Sequence, residues 1–282
     1  MSALKAAVIL MLSVSVMVLA SSAGAQPTPQ TEGYQVMIAK EFLLEAHGGN
    51  GRAACHLLVP RADGSRLTAR ELQLYMRELH RFVVQSNVQV PEGADVTFES
   101  LWDPITVCVA FVGEPARHEQ LVDLERTVQL ALGLDEEEMA ALRRSIGREA
   151  GMLNLKDVCL AALTYANRHG GNLPPVGEWT AATEEYLDND EYLACPPSVG
   201  AELRFALNTA LAGADCTELP RPGATVMFFS SAVPGPDPAG IMDEMAGDAD
   251  DMVYLGFADG HVQLMRLAEV PPEMFDPWEK GP

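Results

Sequence analysis

The sequence predicts an α+β protein with a small mixed amino-terminal unit, a helical middle and a strand-rich carboxy-terminal part. Three observations carry this. Apolar residues recur at helical spacing behind Thr68, along 121–132 and again along 153–168, while β-prone runs gather in the last quarter. Near the end, Met252 to Ala258 and His261 to Leu267 are separated by Asp259-Gly260 alone. Such a joint signals a hairpin, because a type I′ turn needs positive φ at both central positions.

The first 25 residues read as an export signal: Lys5, an apolar run from Ala6 to Ala20, and Ala23-Gly24-Ala25 before a new amino terminus at Gln26. A membrane span is the competing reading, but about 15 apolar residues fall short of the roughly 20 that a hydrocarbon core needs. The expectation is an exported protein, periplasmic or extracellular, with no stable membrane span after cleavage. Residues 26–33 are polar and Pro-rich and form a flexible leader.

Residues 34–115 read as a small α+β domain. Tyr34 to Ala46 fits helix or strand, Ala53 to Val59 is strand-like, and Thr68 with Glu71 makes a capping box. Behind it Leu72, Tyr75, Met76, Leu79, Phe82 and Val83 form one apolar face. Val96 to Glu99 and Ile105 to Val112 are strand-like around Asp103-Pro104. Residues 116–150 read as a helical connector: Leu121, Leu124, Val128, Ala131 and Leu132 keep the period until Gly133, and Asp135 with Glu138 starts the next helix.

In 151–270 a helix covers about Leu153 to Arg168, stopping at Gly170-Gly171 before Leu173-Pro174-Pro175. It is apolar nearly all round at Val158 to Leu163, so it expects partners on more than one side. Ala224 to Ser231 and the closing hairpin supply strands, and 271–282 is a Pro-rich tail expected to run over the surface.

Nineteen Lys+Arg stand against 40 Asp+Glu, a formal net charge of -21. That field repels phosphate backbones and anionic lipid surfaces, which excludes nucleic acid as a partner. The cysteines are Cys55, Cys108, Cys159, Cys195 and Cys216, an odd number. Export permits Cys55–Cys108 and Cys195–Cys216 pairs with Cys159 as a buried free thiol; the other reading makes all five small core hydrophobes. No Cys/His spacing suggests zinc.

Clustered carboxylates offer one candidate chemistry. Asp237, Asp243, Glu244, Asp248, Asp250 and Asp251 precede the hairpin, and Asp243, Asp248, Asp250 and Asp251 are the candidate calcium ligands. Calcium takes six to eight oxygens from a flexible loop; an EF-hand is excluded because the sixth place from Asp248 is not Gly and the twelfth is not Glu. A solvated acidic loop is the alternative. Ser230, Ser231, His261 and Asp259 form a second candidate, a hydrolase set on neighbouring strands, but no G-x-S-x-G elbow exists and the turn accounts for Asp259. Gly48-Gly49-Asn50-Gly51-Arg52 lacks the Lys-Ser/Thr of a phosphate loop and reads as a turn. Glu136-Glu137-Glu138 suits a helix amino end, and the pairs Phe98/Trp102 and Phe228-Phe229 read as core.

Four stretches, over about 150–268, carry a resemblance: Asn154-Leu155-Lys156 with Gly170 to Pro175; Trp179, Tyr186-Leu187 and Leu193-Ala194-Cys195-Pro196; Leu207-Asn208 with Leu211-Ala212-Gly213; and Phe257 to Val262. They are similar to a pseudopilin-like family of planctomycete type with a C-terminal H-x9-D-G signature. The signature His is replaced by Ala249, and Met1 to Gln30 lacks the family's processed leader and apolar stalk. The resemblance implies a helix packed on an antiparallel sheet, as the head of an exported, non-enzymatic interaction or structural protein. Its partner would be a protein or envelope component. An exported hydrolase or a calcium-dependent binding module is the alternative.

Overall fold

The computed structural model describes residues 57–61, 64–85, 110–112, 121–187, 190–196 and 202–278, together with 42, 46, 54 and 55. The export signal, the leader, the 48–52 loop, the strand-like 96–99 run, Trp102 and Cys108 lie outside the described residues. The chain forms two compact units, Met1–Leu142 and Arg143–Pro282, and the α+β class holds.

In the first unit, α1 (Ala69–Gln85) starts at the expected capping box. Glu71 N–H donates to Thr68 Oγ1 (3.2 Å) and Thr68 N–H to Glu71 Oε2 (2.9 Å). Leu72, Leu74, Tyr75, Met76 and Leu79 are buried. The same Glu71 pairs with Arg61 (3.0 Å), which also holds Glu125 (3.0 Å). Burial alone would lower the Arg61 pKa, but the two carboxylates outweigh it and the guanidinium stays charged.

Two expectations are corrected here. Ala54 and Cys55 are helical rather than extended, with Leu57 N–H and Leu58 N–H turning back to Ala54 O and Cys55 O; Leu58 bridges to a strand, at Val122. The residues expected to open the helical connector instead form β2 (Leu121–Asp123), antiparallel to β1 (Ala110–Val112) with Phe111 opposite Val122. Val122 N–H donates to Leu57 O (2.7 Å) and its carbonyl accepts from Val59 N–H (3.0 Å). These long-range bonds override local helical propensity. Helix α2 (Leu124–Leu132) then begins where the Asp123 side chain accepts from Arg126 N–H and ends at Gly133 with φ 67°.

Helix α3 (Glu136–Arg168) runs 33 residues, merging two stretches read separately in the sequence. Asp135 and Glu138 bond reciprocally at its start, each 2.9 Å. Gly170 and Gly171, at φ 69° and 94°, stop it as expected.

In the second unit a sheet is ordered β5-β3-β4-β6-β7. Its strands are β3 (Arg204–Asn208), β4 (Val226–Ser231), β5 (Ala239–Gly240), β6 (Met252–Phe257) and β7 (Val262–Arg266). All pairings are antiparallel except the short β3–β5 contact, so the sheet is mixed. Strand β4 is buried along its whole length, as its apolar sequence requires of a strand covered on both faces. Successive side chains point to opposite faces. Phe228 therefore packs with Leu155, Val158, Cys159 and Ala162 of α3, and Phe229 packs on the other side with Met245, Val270 and Phe275.

The tail expectation is thus corrected: Pro271 to Trp278 does not merely cross the surface, because Phe275 is buried with its ring 5.3 Å from that of Phe229. Asn208 joins it to the sheet, donating through Nδ2 to Val226 O (2.8 Å) and Phe275 O (3.2 Å). On α3, Leu160 remains 47% exposed.

The Asn154-Leu155-Lys156, Trp179 and Cys195-Pro196 stretches meet in this unit. Asn154 Nδ2 donates to Ala194 O (3.1 Å), tying the Asn-Leu-Lys helix to the Cys195-Pro196 turn. Short α4 (Trp179–Glu184) brings in buried Trp179, whose Nε1–H donates to Pro238 O (2.8 Å). Leu207-Asn208 lies at the end of β3.

The Asp259-Gly260 hairpin forms, but not as a two-residue type I′ turn. Phe257 N–H donates to His261 O and Gly260 N–H to Phe257 O, each 2.9 Å, which leaves the three-residue loop 258–260. Only Gly260 has positive φ, at 88°, the arrangement of a three-residue loop closed by a left-handed Gly.

The Cys195–Cys216 pair is also corrected: both are free thiols. Cys195 N–H is drawn to Leu203 O inside the helix–sheet core, whereas Cys216 N–H is bonded to Gly171 O beside the Asn172–Asp215 bridge. Cys55–Cys108 pairing involves a residue outside the described ones. Cys159 is the buried free thiol expected, and burial pushes its pKa up so that it stays protonated.

Cys159 also faces Gly256 of β6. A Cβ there would press into Cys159 Sγ and lie 3.1 Å from Leu155 Cδ1. Gly256→Ala is expected to cost about 1–3 kcal/mol in urea unfolding through overpacking. Adding Cys159→Ala should return part of that loss, which the non-additivity of the double variant measures.

Candidate functional site

The acidic segment between β5 and β6 is positioned by α3. The Asp248 carboxylate is 2% exposed and accepts from Arg148 Nε (2.7 Å) and from the backbone N–H groups of Asp250 (2.8 Å) and Met252 (3.1 Å). Asp250 meets the same guanidinium, and Arg144 stands 3.9 Å from it. Burial alone would raise the Asp248 pKa; the Arg148 and backbone donors outweigh it and hold the carboxyl below its ordinary range.

The structure therefore brings together two of the four candidate calcium ligands, Asp248 and Asp250, around an arginine. Asp251 is exposed at φ 57°, and Asp243 is exposed in the three-ten turn Met242–Glu244. Asp237 and Glu244, from the same acidic run, bond Thr180 N–H (2.7 Å) and Ile241 N–H (2.9 Å). Among the described residues no group of three His, Cys, Asp or Glu is arranged to hold a metal ion. Arg148 is the partner that sequence reasoning missed, since it lies 100 residues before Asp248.

The hydrolase set is not brought together. Ser230 and Ser231 are fully buried, and their hydroxyls donate to Ala246 O and Glu244 O, each 2.7 Å. They also accept from Tyr254 N–H and Val233 N–H, each 3.1 Å. Those bonds extend the sheet into the acidic segment. The β4–β6 register sets Phe257 opposite Val226, at the other end of β4 from Ser231. Five residues of strand separate them, about 16 Å at roughly 3.3 Å per residue. At the hairpin, His261 Nδ1 contacts Asp259 Oδ1 (2.6 Å) and its ring stacks on Phe257 with centroids 4.1 Å apart. Burial opposes ionisation of Asp259, but the His261 backbone N–H and imidazole outweigh it and lower its pKa.

This unit also exposes apolar side chains. An open groove of about 310 Å³ lies between the Ile241–Asp243 segment and the Pro272–Trp278 tail, floored by Phe275. Ile241 and Trp278 on it are 54% and 53% exposed. Among the described residues no helix is long and apolar enough to cross a membrane.

Three outcomes are expected from the Asp248 arrangement. Arg148→Ala should cost about 2–4 kcal/mol in denaturant unfolding, because it leaves a buried carboxylate without its cation. A depressed folded pKa contributes stability that is present above the unfolded value of about 3.9 and is lost as pH falls through the folded one. Acid titration of the thermal midpoint should show that loss below about pH 4, and Asp248→Asn should remove this component of it. Millimolar calcium should leave the midpoint unmoved while Arg148 occupies Asp248; an upward shift would show the carboxylates binding the ion instead. Compared with known protein families, with characterised proteins and with solved structures, the chain finds no match in any of the three.

Proposed function

We propose that this is an exported protein that works by holding a protein or envelope component rather than by catalysis, with the carboxy-terminal unit as a pseudopilin-like head. The observation that carries the reading is the surface of that unit: an open apolar groove, while Ser230, Ser231 and Asp248 are committed to internal bonds. A hydrolytic site needs a nucleophile and a base within hydrogen-bond reach, presented to substrate. The order of a long helix followed by a sheet, and the Asn154–Ala194 link between two family-like motifs, support the head assignment.

The test uses the chain from Gln26 onward, tagged and incubated with the solubilised envelope of its own organism. Saturable retention of one envelope component, at near-stoichiometric amounts and without change to either partner, is expected. Retention of nothing, or turnover of ester or peptide substrates that Ser231→Ala abolishes, overturns the proposal.

A further inference from the structure

We infer that the groove beside β5 receives a short extended polypeptide segment of a partner, carrying an Arg or Lys next to an apolar side chain. This rests on the interaction reading above and names the partner's chemistry. Four large apolar side chains are exposed among the described residues, Leu160, Val176, Ile241 and Trp278, and two of the four line this one groove. Concentrated exposure of this kind marks interaction surfaces, whereas scattered apolar residues need no explanation.

Charge selects the occupant. Asp243 and Asp276 stand among the lining residues, and among the described residues no Lys, Arg or His does. Asp276 Oδ1 accepts from Trp278 N–H (2.9 Å), which fixes the backbone carrying the indole. A cation entering here meets two carboxylates and an aromatic ring, the combination that favours a guanidinium most. A second copy of this chain is disfavoured, because each brings a net charge of -21. An anionic lipid surface is disfavoured by the same carboxylates.

Size limits the occupant to a segment. A volume of about 310 Å³ is at the lower end of ligand sites, which run roughly 300–1,000 Å³. The apolar neighbour of the cation would pack on Ile241, Met242 and Phe275. The floor is firm, since Phe275 is packed against Phe229 and held through Asn208.

The probe is a fluorescein-labelled Leu-Arg-Leu-Arg-Leu peptide, with its Leu-Glu-Leu-Glu-Leu counterpart, read by fluorescence polarisation against the folded mature chain. The cationic peptide should bind saturably. Asp243→Asn/Asp276→Asn and, separately, Trp278→Ala should each weaken it by about tenfold or more. A charge-matched control, Glu137→Gln/Glu218→Gln, should change it less than about twofold, and circular dichroism checks that each variant is folded. Equal weakening by the control would reduce the effect to overall charge and overturn the proposal, as would equal binding of the acidic peptide or no binding at millimolar peptide. Tenfold tighter binding to Lys280→Ala protein would make the chain's own tail the occupant and overturn it too. An envelope component retained equally by the Asp243→Asn/Asp276→Asn protein removes this site while leaving the interaction reading intact.

Discussion

The carboxy-terminal unit depends on how closely α3 approaches its sheet. Gly256 on β6 leaves the space that Cys159 and Leu155 fill, and Gly151 on the helix leaves the space for the Tyr254 ring, whose Cε1 would lie 2.7 Å from a Cβ there. Two missing side chains, one on each partner, let the helix and strand backbones meet closely enough to exclude solvent from Val158, Cys159, Phe228 and Tyr254. Dispersion contacts fall away steeply with separation, so this approach decides how well the core is packed. The rest of the unit is arranged around it. Strand β4 is sandwiched, and its second face needs the cover that Met245, Val270 and Phe275 provide.

That cover explains the treatment of the polar groups. Folding the acidic segment and the tail over an apolar sheet brings backbone and side-chain polar atoms into partial burial, where an unmet hydrogen bond is costly. Ser230, Ser231 and Asn208 meet this demand by bonding main-chain groups 13 to 18 residues away, and Asp248 by accepting from the nearby N–H groups of Asp250 and Met252. Asp248 also needs a cation, and Arg148 supplies it from α3. Residue types that read as chemistry in a linear sequence are therefore used here to make the second face of the sheet possible. The groove arises at the margin of that cover, where the tail and the Ile241–Asp243 segment meet with apolar side chains left over.

The sequence by itself determined the features whose causes lie within three or four residues. Both capping boxes, the stop at Gly133, the exit at Gly170-Gly171 and the existence of the final hairpin are of this kind, because each depends on a local bond or on a Gly's access to positive φ. The α+β class followed from the same periodicities. Tertiary structure alone decided the remainder. Leu121 to Asp123 became a strand because Leu57, Val59 and β1 offered bonds to it. Cys195 and Cys216 stayed apart because their backbones answer to different partners, and the hairpin turn took a third residue because Phe257 pairs with His261. Asp248 was legible as an acid but not as half of an ion pair whose other half lies 100 residues earlier. The turn apart, where Phe257 and His261 are close neighbours, the deciding interaction joins segments far apart in the chain, and the period and spacing of side chains encode which face is buried, not which distant group will be found there.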